Sequence, residues 1–245
     1  MAASARKAVQ GGVASRIAHA DWNGIGFEIN AMGYALVRGA LDAAECAEAR
    51  ELYERGDLFR SRIVMARHGF GQGEYQYFAY PLPPLIASLR EALYPRLAPI
   101  ASAWAEALGG EERYPATLAA FLKHCHAAGQ RRPTPLMLKY GAGDYNRLHQ
   151  DLYGGVQFPL QATVLLSKRG ADFDGGEFVL TETAPRRQSR AEVVPLEQGD
   201  MVIFAVNQRP VRGAKRAYRV AMRHGVSTVR RGSRTTLGII LHDAS

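Results

Sequence analysis

The chain has 245 residues, is 47% hydrophobic and 9% aromatic, and carries a formal net charge of +8. It can therefore bury a substantial core as one domain. No apolar run approaches the roughly 18 residues that a membrane-spanning helix needs. Cys46 and Cys125 lie in helix-like contexts rather than in a small disulfide framework, which favours a reducing compartment. We expect a cytoplasmic protein, and the sequence leaves its oligomeric state open.

The start of the chain is predicted to be a disordered lead-in. Residues 1–16 are rich in Ala, Gly, Lys and Arg but lack the apolar core of a signal peptide. We assign residues 1–20 to this lead-in and residues 21–245 to a single catalytic domain.

The first part of the domain, about residues 21–130, reads as a helical support. Asp42 and Glu45 have the spacing of a capping box, which marks the start of a helix. Pro95 and Pro99 are expected to break a later helix that the prolines at 81–84 open. Three helices are predicted: residues 42–56, residues 84–109 with the break, and residues 116–128.

A glycine-rich segment, residues 67–80, lies between these helices. Three glycines are followed by Tyr75, Tyr77 and Tyr80. The segment could be a mobile lid that offers stacking faces to a base, or a β-hairpin whose aromatic rings fill the core. A phosphate-binding loop is not favoured, because neither a Lys-Ser/Thr pair nor a strand-loop-helix frame accompanies the glycines.

From residue 134 the pattern changes to short apolar runs between turns. Turns are predicted at 172–176 and 198–200. Seven strands are predicted: residues 136–140, 162–167, 177–181, 191–196, 201–206, 217–224 and 235–241. This pattern predicts an α+β protein, mainly β, with a jelly-roll or double-stranded β-helix core over about residues 134–242.

The strand-rich half contains a candidate metal site. Alternate residues of a strand project to the same side, so His149 and Asp151 can bind one ion while Gln150 points away. His224, where a strand runs out into Gly225, supplies a third ligand. Two imidazoles and one carboxylate leave about three positions open for a cosubstrate and O2, the arrangement found in Fe(II) oxygenases.

Other histidines compete for the third position. His242 lies close to the chain terminus, with nothing after it to bind a cosubstrate. His124 and His126 are two apart in a predicted helix, where such residues do not face each other. Neither alternative is preferred over His224.

Arg234 opens the strand that follows His224. If those two strands are neighbours, its planar guanidinium points into the same cavity and holds a carboxylate through two hydrogen bonds. This would anchor 2-oxoglutarate.

The run from Tyr140 to Asp151 resembles the tyrosine-to-HxD segment of the 2-oxoglutarate- and Fe(II)-dependent oxygenases, and its Leu-His-Gln-Asp ending is similar to AlkB-type nucleic-acid demethylases. Further segments resemble a bacterial oxygenase family described as acting on damaged nucleic acid: residues 67–75, 125–130, 158–161, 175–180, 188–190 and 223–227. The resemblance covers nearly everything from Asp21 onward. It implies Fe(II) held by His149, Asp151 and His224, and 2-oxoglutarate bound by Arg234 with help from the Tyr140 hydroxyl.

The sequence departs from the AlkB pattern at two positions. Leu138 stands where AlkB-type enzymes carry an asparagine, and Ile240 stands where they carry a second arginine. The ten-residue spacing from His224 to Arg234 is more like that of prolyl hydroxylases. The main alternative is therefore a hydroxylase of a protein side chain or a small molecule. A cupin-like isomerase or a metal-binding module is a different class, against which Arg234 argues.

The positive charge lies in one segment. Residues 201–242 contain nine Lys or Arg and no acidic residue, which leaves 22 basic against 23 acidic residues elsewhere. We expect this charge to cluster around His224 and to attract a polyanion such as single-stranded nucleic acid or a flipped-out base. A solvated basic hairpin is the simpler alternative.

Overall fold

A computed structural model describes residues 12–245. Within this range the helices are α1 (Val13–Ala18), α2 (Trp22–Met32), α3 (Ala43–Glu51), α4 (Pro84–Ala107) and α5 (Leu118–Ala127). The strands are β1 (Tyr34–Val37), β2 (Phe59–Val64), β3 (Gly71–Gln72), β4 (Glu74–Phe78), β5 (Leu136–Tyr140), β6 (Tyr145–His149), β7 (Leu160–Leu165), β8 (Phe173–Gly175), β9 (Phe178–Thr183), β10 (Arg190–Val194), β11 (Met201–Ala205), β12 (Gln208–Arg212), β13 (Ala217–Val226), β14 (Val229–Gly232) and β15 (Arg234–Ile239). Short 3-10 helices lie at Leu52–Glu54, Gly56–Leu58 and Met65–His68.

Two antiparallel sheets form the core. The larger has the order β1-β11-β7-β15-β5-β4-β2, and the smaller has the order β10-β9-β13-β6-β3. In the smaller sheet β12 pairs with the first half of the long strand β13 and β6 with its second half. Strands β8 and β14 form a separate pair. This is an open jelly roll with helices on one side, which confirms the predicted fold class.

Strand periodicity explains why the central strands are apolar on both faces. On β11, Val202 and Phe204 pack between the two sheets, while Met201, Ile203 and Ala205 pack in the helix-covered core. Successive residues of a strand point to opposite faces, so a sheet that is covered on both sides needs a continuous apolar run. The helices α1, α2, α4 and α5 supply the outer cover.

The predicted disordered lead-in is wrong for its second half. Residues 13–18 form α1, in which Val13 and Ile17 are buried against the helical layer. The Trp22 indole donates to the Ile17 carbonyl at 2.7 Å, and Arg16 forms an ion pair with Glu45. Val13 and Ile17 lie four residues apart on one face of α1, and this apolar face packs on α4. Residues 1–11 lie outside the described range.

The predicted break in α4 is also wrong, since the helix runs without interruption past Pro95 and Pro99. The two prolines are four residues apart and both are exposed. The backbone carbonyls that lose their partners therefore face water, whereas Leu93, Tyr94 and Leu97 keep the opposite face buried. Packing of this face outweighs the loss of two backbone hydrogen bonds.

The predicted helical support contains strands as well. β1, β2 and β4 all belong to the larger sheet, with β4 pairing β5 at Tyr75↔Leu138. The predicted turn at 172–176 is instead strand β8, whereas the turn at Gln198 and Gly199 is confirmed. The capping box of α3 is present, with Asp42 and Glu45 as its two side chains. No helix in the described residues is long and apolar enough to span a bilayer.

Candidate active site

The structure brings the three predicted metal ligands together between β6 and β13. His149 ends β6 and pairs directly with His224 on β13, and Asp151 follows in the next loop. The Asp151 carboxylate lies 3.4 Å from Nε2 of His149 and 3.3 Å from Nε2 of His224. One ligand atom from each residue falls within 4.8 Å of the others, and residues 12–245 hold no other such group of His, Cys, Asp and Glu. A single ion could contact all three.

Gln150 is turned away from this group. Its side-chain amide donates to the carbonyls of Asn207 at 3.0 Å and Met222 at 2.8 Å. The alternation predicted from the H-x-D spacing is therefore present, although β6 already ends at His149 and Asp151 stands in the loop.

The protonation states of Asp151 and His224 suit a cation. Burial lowers the pKa of His149, but hydrogen bonds and charge from Asp151 outweigh burial and raise it. Burial raises the pKa of the Asp151 carboxyl, but hydrogen bonds and charge from His149 and His224 outweigh burial and hold it well below its ordinary value. Burial and the neighbouring His149 lower the pKa of His224. Asp151 is therefore an anion and His224 a neutral imidazole at neutral pH, and these are the forms that bind metal.

A second layer of polar groups fixes the Asp151 carboxylate. The Tyr153 hydroxyl donates to Oδ1 at 2.8 Å, and Nε2 of Gln161 donates to Oδ2 at 2.8 Å. The Tyr77 hydroxyl donates in turn to that of Tyr153 at 2.9 Å. Sequence reasoning did not assign these roles, because the three residues lie on β4, on β7 and in a loop. Such partners orient metal ligands and tune their affinity.

Gln130 holds the loop that carries Asp151 and Tyr153 through hydrogen bonds to the loop backbone. The Gln130 side chain is 1% exposed, donates to the Val156 carbonyl at 2.9 Å and accepts from the Val156 amide at 2.6 Å. Gly154 crosses over it at φ +90°, where a Cβ would lie 2.6 Å from the Gln130 amide carbon. Only glycine fits here without displacing Gln130.

Arg234 points into the predicted cavity, but it does so from a different sheet than the sequence predicted. Its strand β15 is not a neighbour of β13 but lies in the facing sheet, between β5 and β7. The side chain is 1% exposed, and its Nε and Nη1 find no hydrogen-bond partner in the described part of the chain. Burial lowers the pKa of Arg234 to about 10, so the group stays a cation. A buried, incompletely paired guanidinium is costly unless an anion completes it.

Tyr140 lies directly beside Arg234, since the two residues pair across β5 and β15. The Arg234 guanidinium carbon is 5.7 Å from the centre of the Tyr140 ring. Burial raises the pKa of the Tyr140 hydroxyl, which therefore stays protonated and can donate a hydrogen bond. The Asn146 amide donates to this hydroxyl at 3.3 Å.

These groups share one cavity of about 400 Å³. Its buried part contains His224, Arg234 and Tyr140, together with Thr163 and Thr236, whereas His149 and Asp151 are partly exposed. Phe70, Leu148 and Leu152 line its exposed mouth. The two imidazoles and one carboxylate of the metal group fit Fe(II). The buried and incompletely paired Arg234 guanidinium fits one carboxylate of a dicarboxylate cosubstrate.

The 67–80 segment contains the strand and buried ring of the predicted hairpin, and the lid stays a prediction. Residues 74–78 form the sheet strand β4, in which Tyr77 is 7% exposed, as the hairpin alternative requires. Residues 69 and 70 line the cavity mouth. Tyr80 is half-exposed, and its hydroxyl donates to the Asp243 carboxylate at 3.0 Å.

The competing histidines are engaged elsewhere. His126 contacts the Asp243 carboxylate at 2.8 Å through Nε2. His242 accepts from the Phe158 amide at Nδ1, so its proton sits on Nε2, and burial lowers its pKa to about 4. Neither belongs to the metal group.

The basic segment does not gather around His224 as predicted. Arg209 pairs with Glu182, Arg231 pairs with Asp174, and Arg234 is buried in the cavity. The other six are exposed, most of them on and between β12 and β13: Arg212, Lys215, Arg216, Arg219, Arg223 and Arg230. The simpler alternative of a solvated basic hairpin fits most of this segment.

Comparison with known proteins gives the family. Residues 73–244 match a family described as "Oxygenase, catalysing oxidative methylation of damaged DNA". The chain belongs to this oxygenase family. An uncharacterised Mycobacterium tuberculosis protein, from strains CDC 1551 and H37Rv, is 49% identical over 168 residues, which cover 69% of this chain and 72% of the relative.

Solved structures share the fold of the oxygenase. A Trichoplax adhaerens prolyl hydroxylase in complex with a hypoxia-inducible-factor peptide has a TM-score of 0.53 at 13% identity, over 96% of this chain and 92% of that one. The 2-oxoglutarate-dependent epimerase SnoN of nogalamycin biosynthesis also has a TM-score of 0.53, at 17% identity, over 89% and 82% of the two chains. With the family, the metal group and Arg234, the chain is an Fe(II)- and 2-oxoglutarate-dependent dioxygenase that consumes O2.

Proposed function

We propose that this dioxygenase removes alkyl groups from damaged nucleic-acid bases by oxidation. His149, Asp151 and His224 would hold Fe(II), which with 2-oxoglutarate and O2 supplies the oxidation of a C–H bond, with succinate and CO2 as coproducts. An N-methyl group becomes N-hydroxymethyl, which releases formaldehyde and leaves the N–H base. An oxygen-inserting site can therefore remove a methyl group from a base but has no means of adding one.

The residues of the chain have distinct tasks in this reaction. Arg234 and the protonated Tyr140 hydroxyl bind the far carboxylate of 2-oxoglutarate and orient it in the buried part of the cavity. Tyr153 and Gln161 hold the Asp151 carboxylate in one orientation. The neutral His224 keeps a lone pair free for the metal.

The charge of the cavity is the observation that carries the substrate assignment. Among the described residues that line the cavity, Asp151 is the one carboxylate, and the metal would engage it. Two arginines, Arg147 and Arg234, also line the cavity. Arg234 is reserved for the cosubstrate, so Arg147 at the exposed end is available to a second anionic ligand. A family described by its action on damaged DNA supports the same substrate. A base inside a duplex would have to flip out to reach the metal.

A hydroxylase of a protein side chain or small molecule is the second candidate. The ten-residue spacing between His224 and Arg234 favours it. A solved prolyl hydroxylase with bound peptide has the same fold, which is compatible with this candidate at the level of architecture.

The test is the release of succinate and formaldehyde by iron-loaded protein with 2-oxoglutarate, O2 and N-methylated single-stranded oligonucleotides. Unmethylated strands are the matched substrate control, and Asp151→Ala is the enzyme control. We expect formaldehyde in proportion to the methylated strand and none from the variant. Succinate without formaldehyde would reject the nucleic-acid substrate and favour the second candidate.

We also infer a cytoplasmic location and one catalytic domain. The buried, unpaired cysteines Cys46 and Cys125 support a reducing compartment. The packing of α1 on α4 supports a domain that begins before residue 21.

A further inference from the structure

The mouth of the cavity is unusually apolar for an exposed surface. Phe70, Leu148 and Leu152 each keep 47% of their surface accessible to solvent. They are three of the seven exposed large hydrophobic side chains in residues 12–245, and all three line this one cavity. A group of exposed apolar side chains at one opening marks a place where a ligand docks.

Phe70 is presented by a fixed backbone. Its amide donates to the Met65 carbonyl at 3.2 Å, and its carbonyl accepts from the Arg147 amide at 2.9 Å. The next residue, Gly71, lies at φ +140° so close to β6 that a Cβ would be 2.3 Å from the Tyr145 carbonyl oxygen. The Phe70 ring stacks on His68, with 5.3 Å between ring centres and 22° between planes. These contacts therefore fix both the backbone and the ring of Phe70 at the opening of the cavity.

Two arginines without a carboxylate partner lie close to Phe70, Arg147 through a backbone hydrogen bond to it and Arg67 three residues earlier in the chain. Arg147 is exposed, lines the cavity and places its guanidinium 5.8 Å from the centre of the Tyr145 ring. Arg67 is exposed next to His68. Neither forms an ion pair within the described range, in contrast to Arg209 and Arg231. The mouth thus combines a flat aromatic face with unneutralised positive charge.

We propose that this mouth binds single-stranded nucleic acid, with Phe70 as the stacking platform for a base next to the modified one and Arg147 as a phosphate contact. The proposal rests on the proposed function and adds the residues that grip the strand. A nucleotide chain carries a flat base and a phosphate on each repeat, which matches the pairing of Phe70 with Arg147. An aliphatic or acidic peptide side chain would use one of these features but not both.

The test is a binding titration without turnover, in which anaerobic protein with Fe(II) and 2-oxoglutarate binds a fluorescent single-stranded oligonucleotide that carries one N-methylated base. We expect Phe70→Ala to weaken binding about 5- to 150-fold, the usual range for loss of one base–aromatic stack. Phe70→Trp should keep binding within about twofold of the parent, since it retains the ring. Phe27→Ala is the matched control, because Phe27 is 74% exposed on α2 and does not line the cavity.

The salt dependence of binding isolates the phosphate contact. Arg147→Gln should reduce the slope of log affinity against log salt concentration by about 0.7, the value for one phosphate of a single strand. Arg55→Gln removes the same charge from an exposed residue that pairs with Asp57, and it should leave the slope unchanged.

The outcomes separate this inference from the proposed function. Binding by the parent protein with equal affinities for Phe70→Ala and Phe27→Ala would overturn the stacking platform and leave the nucleic-acid substrate standing. Absence of binding by the parent protein would overturn both. An unchanged salt slope in Arg147→Gln would reject the phosphate contact.

Discussion

At the scale of single residues, the Asp151 carboxylate illustrates how a metal ligand depends on neighbours that bind no metal themselves. Each of its oxygens accepts one hydrogen bond from outside the metal group, from Tyr153 and from Gln161. Without these donors the carboxylate could rotate away from the two imidazoles. The orientation of the ligand is therefore determined by β7 and the loop after β6, as well as by the H-x-D tripeptide.

We predict that Tyr153→Phe and Gln161→Leu each weaken metal binding about 10- to 100-fold, the usual effect of removing an outer-layer partner. Titration of the apoprotein with Co(II) or Mn(II), followed by thermal shift, measures this effect without any turnover. Tyr145→Phe is the control, because Tyr145 flanks the motif and its hydroxyl makes no hydrogen bond within residues 12–245. Equal affinities for Tyr153→Phe and Tyr145→Phe would contradict this role.

Gly176 gives Arg234 its space. It lies at φ +59°, and a Cβ there would stand 2.8 Å from Cδ of Arg234 and 2.9 Å from a methyl group of Val229. We predict that Gly176→Ala raises the KM for 2-oxoglutarate several-fold, because Arg234 must shift to make room. Steady-state kinetics with varied 2-oxoglutarate measures it.

Gly39→Ala separates displacement of Arg234 from backbone strain. Gly39 has nearly the same φ, +60°, but nothing within 4 Å of its Cβ position. It should therefore lose a similar amount of stability and keep its KM. A KM increase shared by both variants would show that Gly176 acts through stability alone.

At the scale of elements, the start of α3 follows a local sequence rule. The Asp42 side chain accepts from the Glu45 amide at 2.9 Å, and the Glu45 carboxylate accepts from the Asp42 amide at 2.9 Å. We predict that Asp42→Ala lowers the free energy of unfolding by about 1 kcal/mol and that Asp42→Asn lowers it less, because Asn still caps. Urea denaturation measures both. A loss for Asp42→Asn as large as that for Asp42→Ala would argue against capping.

The sequence predicted elements whose pattern is local and missed those that depend on distant partners. The strands at 136–140, 201–206 and 217–224 could be recognised because their apolar residues are continuous or alternate. β8 and β14 could not, since each is three or four residues long and exists only through the other. α4 continues past Pro95 because its buried face packs in the hydrophobic core. Local sequence rules for helix ends do not include such distant contacts.

The candidate site followed the same division. The spacing of His149 and Asp151 and the position of His224 were visible in the sequence, although Asp151 stands in the loop after β6 and not on the strand that this spacing assumed. The roles of Gln161 and Tyr77 were not visible. Both residues lie in the larger sheet, and they contact Asp151 and Tyr153 in the loop after β6, which belongs to the smaller sheet. Arg234 was found for an incorrect reason: its strand faces β13 across the cavity and does not pair with it.

At the scale of the whole molecule, the last residues of the chain are tied to the helical layer by a buried ion pair. Arg90 on α4 is 1% exposed, and its Nη2 donates to Oδ1 of Asp243, which is 0% exposed, at 2.7 Å. Arg90 also donates to the carbonyls of Ile240 and Leu241. This contact joins α4 to the end of β15, the strand that carries Arg234 at its other end.

We predict that Asp243→Ala lowers the free energy of unfolding by about 3–5 kcal/mol, because it leaves the Arg90 guanidinium buried without a counterion. Asp57→Ala breaks the exposed Arg55–Asp57 pair and should leave the free energy of unfolding nearly unchanged. Replacing Arg90 and Asp243 together with apolar residues should recover much of the loss, since the uncompensated charge is then gone. Urea denaturation of the three variants measures these differences. If the double variant were as unstable as Asp243→Ala, the loss would come from disrupted packing and not from the unpaired charge.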